Sequence, residues 1–527
     1  MVLAVAVLAL PGCVTQDAST LIGPCRGERF QECAIDLGGY KPVQQRLGPQ
    51  DANLAMAIAI SGGGHRAGNF GVGVMLGLEQ LKRPGGAAGD DANAPRTRAV
   101  ANALVEVDYL STVSGGGLCA AGYISSLYDY QLFSGSPERY SLAEAMAVDG
   151  SKSPPGRQFT DPSLRENLQY NYVDDIIRGA LTIVTAGSFH RGDFLENSFD
   201  DRILGRLWRA RKLRSSSSPN ARFARDASLR LSDMFVPSAD IDRPVRLPYW
   251  VANATAYENA AIFPFTPEHL RLYDIRGYTH RLKKFRRDTA GRAGTGGSDA
   301  NVALREMAFA YETPLAVGLT ASGTFPVLIP ACTMQSGMDP ANPYLHLVDG
   351  GLADVFGSIT AIRMLRQDKA QRKVLIVIDA YNGPLTPYSK CDNAPAAAAT
   401  AFRMATAFLD AWRARYREVI CALCSSRNPP TDIHPIFLSF DDLLDCPDFK
   451  PLERFGFGPE DLAALHRLGF KPAAKETPFT LARQVWTWYN LSGPEQKLLF
   501  AVGHYLVDKK KDEITQAMGW GEMTEKR

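Results

Sequence analysis

The chain has 527 residues, of which 45% are hydrophobic, so it is long enough to bury a large core and to form more than one structural unit. Its 58 basic and 56 acidic side chains nearly cancel, which argues against a nucleic-acid-binding role for the chain as a whole. Beyond the N-terminal segment, no apolar run approaches the roughly 18 residues of a membrane helix.

The first predicted element is a short apolar segment, Met1–Leu10, which is followed by Pro11-Gly12-Cys13. This pattern is similar to the apolar region and lipobox of a bacterial lipoprotein signal, in which Cys13 is acylated after cleavage. No Lys or Arg precedes the segment, as expected if the true start codon lies further upstream. We expect a signal segment at 1–13, a polar tether at 14–50, and a lipid-anchored protein of the bacterial cell envelope, which is located in the outer membrane or faces the periplasm. A disordered or buried N-terminus is the alternative for this segment, and a cytoplasmic or peripheral membrane protein is the alternative location.

The next element combines a predicted strand, Leu54–Ile60, with a glycine turn and a helical pattern from about Asn69 to Leu81. The turn contains Gly62, Gly63 and Gly64, which can direct backbone amides outward at a helix start, where the dipole favours negative charge. Arg66 adds a cation that either braces this turn or faces a developing anion. The segment 62–67 also fits the dinucleotide fingerprint GxGxxA, with Asp108 as a distant acidic partner. A dinucleotide-binding oxidoreductase is therefore an alternative, but it leaves the second turn unexplained.

A second strand–turn–helix unit follows, with a predicted strand at Val105–Leu110 and a helical pattern at Leu118–Leu127. Between them, Ser114 precedes Gly115 and Gly116. Small residues around a serine permit the sharp turn that exposes a nucleophile, although the first glycine of the usual GxSxG pattern is missing. A helix N-cap serine is the alternative. A hydrolase needs both kinds of turn, one to present amides to an oxyanion and one to present the serine.

The central part of the chain predicts an α/β protein. Residues 129–245 carry helical periodicity and are interpreted as an insertion between core strands. Further strands are predicted at 248–255, 345–348 and 373–379, and their alternation with helices indicates a mainly parallel sheet. The strand at 345–348 delivers Asp349 into a turn containing Gly350 and Gly351, where the carboxylate can face the serine. A plain Asp-Gly turn is the alternative.

Together these segments resemble the patatin-like phospholipase family, which includes the cytosolic phospholipase A2 relatives. The family's GGGxR turn matches Gly62–Arg66, its serine elbow matches Ser114, and its DGG or DGA turn matches Asp349–Gly351, in this order. The segment Thr313–Pro326 resembles the family's Ala-Ser-x-x-x-Pro helix end. The resemblance covers roughly 54–385. It implies a three-layer patatin-like α/β fold, with a catalytic domain at 51–391 that contains the insertion.

The resemblance also implies a Ser–Asp dyad, in which Ser114 attacks an ester carbonyl and Asp349 takes its proton. An acyl-enzyme then forms, and the oxyanion is stabilised by Gly62, Gly63 and Gly64 with Arg66, without a metal or other cofactor. An aspartate with the ordinary pKa of about 3.9 is a weak base, so we expect burial to raise its pKa. The implied substrates are phospholipids or other fatty acyl esters at a membrane surface, as for a phospholipase A or lysophospholipase.

Two further functions stay open. A Ser-His-Asp esterase would use one of the histidines in or between the motifs: His65, His190, His280 or His346. Of these, His346 is expected on the opposite strand face from Asp349, and His65 is expected to point away from the turn. A membrane-anchored lipoprotein scaffold without activity would retain the fold, but the intact Ser114, Asp349 and Arg66 argue against it.

Two basic runs lie within the middle of the chain. The first, Arg202–Arg230, includes these cations around Trp208: Arg206, Arg209, Arg211, Lys212 and Arg214. The second is Arg281–Arg287. Cations interleaved with aromatic residues suit an anionic lipid surface, and a solvated helix face is the alternative.

The remaining predictions concern cysteines and the C-terminal region. Disulfides are expected within the pairs Cys25/Cys33 and Cys421/Cys424, and the second pair also fits half of a zinc site without an evident second half. The region 392–527 is predicted to be helical, notably at 396–423 and 493–518. Four aromatic residues are expected to pack it against the sheet domain rather than form a substrate shelf: Trp412, Trp486, Trp488 and Tyr489.

Overall fold

A computed structural model describes most of the chain from Asn53 to Gly521: residues 53–83, 102–134, 140–146, 164–175, 191–215, 227–235, 247–278, 310–325, 329–381, 413, 415–425, 432–470, 476–487 and 489–521. The expected signal segment, Cys13 and the tether lie outside the described residues, as does the expected boundary at 391. The lipid anchor, the envelope location and the domain limits therefore stay predictions.

A central sheet of nine strands organises the molecule. The strands are β1 (Leu54–Ile60), β2 (Val107–Val113), β3 (Tyr249–Ala256), β4 (Ala261–Phe265), β5 (Ile275–Tyr278), β6 (Cys332–Ser336), β7 (Tyr344–Asp349), β8 (Arg372–Asp379) and β9 (Ile433–Ser439). Their order across the sheet is β5-β6-β7-β3-β2-β1-β8-β9, and β4 pairs with β3 off this path.

The sheet is mixed rather than mainly parallel. Strands β3, β2, β1, β8 and β9 run parallel to their neighbours, as predicted for strands that alternate with helices. By contrast, β4 and β7 run antiparallel to β3, and β5 and β6 continue the antiparallel part. The α/β class is confirmed, but the prediction of a mainly parallel sheet overlooked this second half.

Helices lie in the connections between strands and after the last strand, β9. They are α1 (Gly64–Gln80), α2 (Gly116–Ser134), α3 (Leu142–Ala145), α4 (Leu164–Asn167), α5 (Arg191–Ser198), α6 (Arg206–Ser215), α7 (Leu231–Phe235), α8 (Pro267–Leu272), α9 (Leu315–Ser322), α10 (Ser358–Gln367), α11 (Lys450–Glu453), α12 (Pro459–Arg467), α13 (Pro478–Ala482), α14 (Gly493–Lys509) and α15 (Lys511–Ala517). Residues 415–424 are also helical. A π-helical turn, Phe199–Ile203, joins α5 to α6, and 3-10 turns lie at Gly350–Leu352 and Phe440–Leu443.

Apolar side chains cover both faces of the sheet. Alternate residues of β1 point to opposite faces, so that Met56 and Ile58 join a cluster with α1, α2 and α14, while Ala55 and Ala57 join a second cluster with α10. Every residue of β1 is fully buried. A strand that is buried on both faces reads as a continuous apolar run, which is why the sequence predicts β1 well.

The C-terminal region is not wholly helical, because β9 adds a parallel strand to the edge of the sheet beside β8. The region also packs closely on the first helix, since α14 crosses α1 at glycines. A Cβ at Gly73 would lie 2.6 Å from the Phe500 carbonyl oxygen, and one at Gly503 would lie 2.6 Å from the Val74 amide nitrogen. The backbones of these two helices are therefore in direct contact.

The described part of the insertion is held by a buried ion pair. Arg209 of α6 is fully buried and donates from Nε to Asp129 of α2 at 2.7 Å. Trp208 is also buried, against Phe133, and Arg206 pairs with Asp200 and Asp201. The first basic run is thus not one lipid-facing surface, although Arg211 and Arg214 are exposed. The run at 281–287 lies outside the described residues.

Three other expectations concern membranes, metals and disulfides. Within the described residues, none of the helices has both the length and the apolar character needed to span a membrane. The same residues contain no cluster of three or more His, Cys, Asp or Glu side chains arranged to hold a metal ion. Cys421 and Cys424 are both free thiols, so the disulfide predicted between them is absent, and Cys25 and Cys33 lie outside the described residues.

Candidate active site

Ser114 occupies a strained turn between β2 and α2. Its φ is 49°, in the left-handed region that residues other than glycine rarely adopt. The turn packs against the first glycine bend, since a Cβ at Gly115 would lie 2.1 Å from the Gly64 carbonyl oxygen and one at Gly116 would lie 2.6 Å from the Ser61 carbonyl oxygen. Small residues after Ser114 are therefore required by the contact between the two turns.

The first glycine bend lies between β1 and α1, beside Ser114. Gly63 has φ 143° and Gly64 has φ 58°, so both need the conformational freedom of glycine. A Cβ at Gly62 would lie 3.3 Å from the Cβ of Ser114. The backbone amides of Gly62, Gly63 and Gly115 donate no hydrogen bond to any described residue. Backbone N–H groups without a partner are thus present next to the serine.

Asp349 is the last residue of β7 and is 5% exposed. Its Oδ1 accepts a hydrogen bond from the Gly351 amide at 2.8 Å. The Ser114 side chain also lies within hydrogen-bonding reach of the Asp349 carboxyl. Burial raises the pKa of Asp349 to about 6, and the hydrogen bonds from Gly351 and Ser114 oppose part of this increase. A carboxylate with this pKa is a stronger base than an ordinary aspartate, and it lies within reach of a serine.

The register of the sheet explains how these two residues meet. Val113 of β2 pairs with Asn253 of β3, and the next residue of β3, Ala254, pairs with Asp349. Strand β7 is antiparallel to β3 and pairs only with the C-terminal end of β3. Its own last residue, Asp349, therefore lies next to the residue pair at which β2 ends. A Cβ at Gly350 would lie 2.0 Å from the Asn253 carbonyl oxygen, so glycine is required directly after the aspartate.

The end of α9 holds the serine and the aspartate in place. Ser322 accepts a hydrogen bond from the Ser114 amide at 2.8 Å and donates to the Asn253 carbonyl oxygen at 2.6 Å. Two residues later, the Thr324 carbonyl oxygen accepts from the Asp349 amide at 3.1 Å. The sequence singled out this Ala-Ser segment only as part of the resemblance, and its spatial role was not predicted.

Arg66 braces the first bend. It is 3% exposed, its Nε donates to the Ala380 carbonyl oxygen at 2.7 Å, and its Nη1 donates to the Val485 carbonyl oxygen at 2.9 Å. Burial lowers the pKa of Arg66 to about 9, with Asp379 acting in the opposite direction. Of the two roles expected for Arg66, the contacts support the brace. A direct part in oxyanion stabilisation stays a prediction.

The described histidines contact other groups than Ser114. His65 is fully buried and its Nε2 hydrogen-bonds to the Tyr170 carbonyl oxygen at 2.8 Å, while burial lowers its pKa to about 4. His346 is partly exposed and its Nδ1 lies 2.6 Å from Glu258 Oε1. His346 therefore faces Glu258, as expected for the strand face opposite Asp349, whereas the His65 ring lies 6.1 Å from the ring of Tyr489. His190 and His280 lie outside the described residues.

The C-terminal aromatic residues differ from the expectation. Trp486 is 79% exposed, so it does not pack against the sheet domain as predicted. Tyr489 instead reaches the site, where its phenol lies within hydrogen-bonding reach of the Ser114 side chain. Its hydroxyl also donates to the Gly323 carbonyl oxygen at 3.2 Å. No sequence motif marks Tyr489 as a site residue. Trp412 and Trp488 lie outside the described residues.

Comparisons with known proteins add little to this geometry. No protein family model and no curated protein sequence matches the chain. Among solved structures, human GIVD cytosolic phospholipase A2 is similar with 13% sequence identity and a TM-score of 0.34, over 89% of this chain and 60% of that one. The chain thus spans less than two thirds of the length of that structure.

Proposed function

We propose that this protein is a serine hydrolase that cleaves fatty acyl esters, with Ser114 as nucleophile and Asp349 as general base. One observation carries the proposal: a serine in a strained turn lies within hydrogen-bonding reach of a buried aspartate whose pKa is raised to about 6, beside amides that have no partner among the described residues. A nucleophile within reach of a base, next to donors for an oxyanion, is the arrangement that acyl transfer requires.

In the proposed acylation step, the Ser114 proton passes to Asp349 while the Ser114 oxygen forms a bond to the ester carbonyl carbon. The electron pair of the carbonyl bond moves to oxygen and is stabilised by the amides of Gly62, Gly63 and Gly115. When the tetrahedral intermediate collapses, the bond to the alcohol breaks and the proton on Asp349 passes to the departing oxygen. Loss of one oxyanion donor typically reduces the rate by about 10²–10³.

In the deacylation step, water attacks the acyl carbon and gives its proton to Asp349. The bond from carbon to the Ser114 oxygen then breaks, and this oxygen takes the proton back. Near neutral pH most Asp349 carboxyls are ionised if their pKa is about 6, so the base is available at the start of each step.

The substrate class is inferred from the sequence motifs. The resemblance of the GGGxR, serine and DGG segments to patatin-like phospholipases favours phospholipids or other fatty acyl esters, presented at a membrane surface. It also favours the three-layer patatin-like arrangement. The exposed Trp486 lies in the chain between Val485 and Tyr489, both of which contact the site, and it supplies an apolar group suited to a lipid interface.

The decisive test is labelling with a fluorophosphonate ester, which reacts with activated serines. We expect the parent chain and Ser425→Ala, which changes an exposed serine away from the site, to be labelled equally. Ser114→Ala should not be labelled at all. Labelling that persists in Ser114→Ala would refute the nucleophile, and absence of labelling in the parent would favour a scaffold without activity.

A further inference from the structure

The segment that follows α13 contacts the site from the C-terminal part of the chain. The Val485 carbonyl oxygen accepts from Arg66, which braces the glycine bend. Four residues later, the Tyr489 carbonyl oxygen accepts from the Tyr172 amide at 3.0 Å. These backbone contacts fix both ends of a short stretch, so the side chain of Tyr489 enters the site from an anchored backbone.

The Tyr489 ring is held on several sides. It lies edge-on to His65, with ring centroids 6.1 Å apart, and tilted to Phe199 at 6.2 Å. Its hydroxyl donates to the Gly323 carbonyl oxygen, and a Cβ at Gly323 would lie only 2.7 Å from that hydroxyl oxygen. Glycine at this position is therefore needed to admit the phenol. Gly323 lies between Ser322 and Thr324, the two residues that hold Ser114 and Asp349, so the phenol is close to both.

We propose that Tyr489 is a third catalytic residue, whose hydroxyl donates a hydrogen bond to the Ser114 oxygen when this oxygen is the leaving group of deacylation. The inference rests on the proposed function and deepens it. The hydroxyl bonds to the carbonyl oxygen of Gly323, the neighbour of the Ser322 that holds the Ser114 amide, so the phenol lies within hydrogen-bonding reach of the Ser114 side chain and near the Asp349 carboxyl.

The single phenolic proton has two available acceptors. In the resting site Ser114 lies within hydrogen-bonding reach of Asp349, and Tyr489 donates to the Gly323 carbonyl oxygen. In deacylation the bond between the acyl carbon and the Ser114 oxygen breaks, and negative charge develops on that oxygen before Asp349 returns the proton. Tyr489 turns its O–H to this charge and keeps its own proton throughout. Burial raises the pKa of the phenol, which preserves it as a donor.

The test is burst kinetics with a p-nitrophenyl fatty acyl ester, whose good leaving group makes acylation fast. We expect Tyr489→Phe to release about one p-nitrophenol per enzyme and then turn over about 10–100-fold more slowly than the parent, as expected for loss of a hydrogen bond to a charged group. Intact-mass measurement should detect the accumulated acyl-enzyme. Tyr172→Phe is the matched control, because this buried neighbour donates its hydroxyl to Asn167 and should turn over normally.

Gly323→Ala gives an independent check, since its methyl group would displace the phenol without changing Tyr489. It should show the same slow deacylation. Parent-like turnover in Tyr489→Phe, or equal losses in burst rate and steady-state rate without an acyl-enzyme, would overturn the inference. If Ser114→Ala is inactive and Tyr489→Phe is normal, only the role of Tyr489 fails. If Ser114→Ala retains full activity, the proposed function itself fails.

Discussion

The site and the insertion each bury an aspartate, but the two carboxylates have different partners. Asp349 accepts from the Gly351 amide, lies within hydrogen-bonding reach of the Ser114 side chain, and has no ion pair among the described residues. Asp129 is 1% exposed and accepts from the fully buried guanidinium of Arg209. Burial alone disfavours the charged form of a carboxylate, whereas a buried cation compensates it.

This difference teaches what each aspartate can do. A buried carboxylate with neutral donors has a raised pKa and can accept a proton during a reaction. A buried carboxylate that pairs with arginine holds two helices together, here α2 and α6. The same substitution, Asp to Asn, should therefore have opposite consequences in the two regions.

The largest expected effect is on activity. Asp349→Asn should reduce kcat for ester hydrolysis by about 10²–10⁴, because general base catalysis is lost while the shape of the side chain is kept. Asp129→Asn should leave kcat within about twofold when measured well below its unfolding temperature. Both values come from initial rates with the same ester. Full activity in Asp349→Asn would break the comparison and favour a histidine as the base.

The second effect is on stability, and here Asp129→Asn is expected to be the more damaging of the two substitutions. Asp129→Asn leaves Arg209 buried without its charged partner and should lower the free energy of unfolding by about 3–5 kcal/mol. Asp349→Asn should raise it at neutral pH, because the parent must bury a charge there. Chemical denaturation of both variants and the parent measures these changes. Destabilisation of both variants at neutral pH would contradict the distinction.

The pH dependence of the Asp349 effect follows from the direction of its pKa shift. The folded-state pKa of about 6 exceeds the ordinary value of 3.8, so the parent loses stability as pH rises between these values. The advantage of Asp349→Asn should be absent below about pH 4 and reach at most roughly 3 kcal/mol above about pH 6. An advantage that does not change over this range would show that the carboxyl is not the cause.

The smallest effect is expected for the hydroxyl that holds Ser114. Ser322→Ala removes the acceptor of the Ser114 amide and should lower kcat about 10-fold with little change in KM, since an unsatisfied buried donor costs about 1–3 kcal/mol. Ser228→Ala is the control in the insertion, where the hydroxyl donates to Asp200. Equal kcat values for the two variants would show that the Ser322 hydroxyl does not position Ser114.

The sequence predicts the parts of the fold and the site that depend on local patterns. The strand at Leu54–Ile60 has the predicted bounds, because both of its faces are buried and the apolar run is continuous. The glycines after Ser114 and Asp349 can be recognised as motifs in the sequence because close backbone contacts exclude any side chain there. These motifs placed Ser114 and Asp349 at strand ends, and the structure brings the two side chains together.

Other features depend on tertiary contacts that leave no local pattern. The alternation within Tyr344–Asp349 predicts a strand but not its direction, so the antiparallel half of the sheet was overlooked. The strand β9 contains Pro435 and an exposed His434, which interrupt the strand pattern, and it lies at the sheet edge where proline is tolerated. Likewise, the cation of Arg209 looks like a surface residue in sequence, since its buried partner lies 80 positions away.

The glycine contact between α14 and α1 has a consequence for truncated forms of the gene product. The bend of Gly62–Gly64 lies at the start of α1, and the backbone of that helix packs directly against Gly503 of α14. A premature stop codon before α14 would leave the glycine, serine and aspartate motifs in place, yet remove the helix that packs against α1. Open reading frames that retain the motifs but lack this helix should accordingly encode inactive proteins.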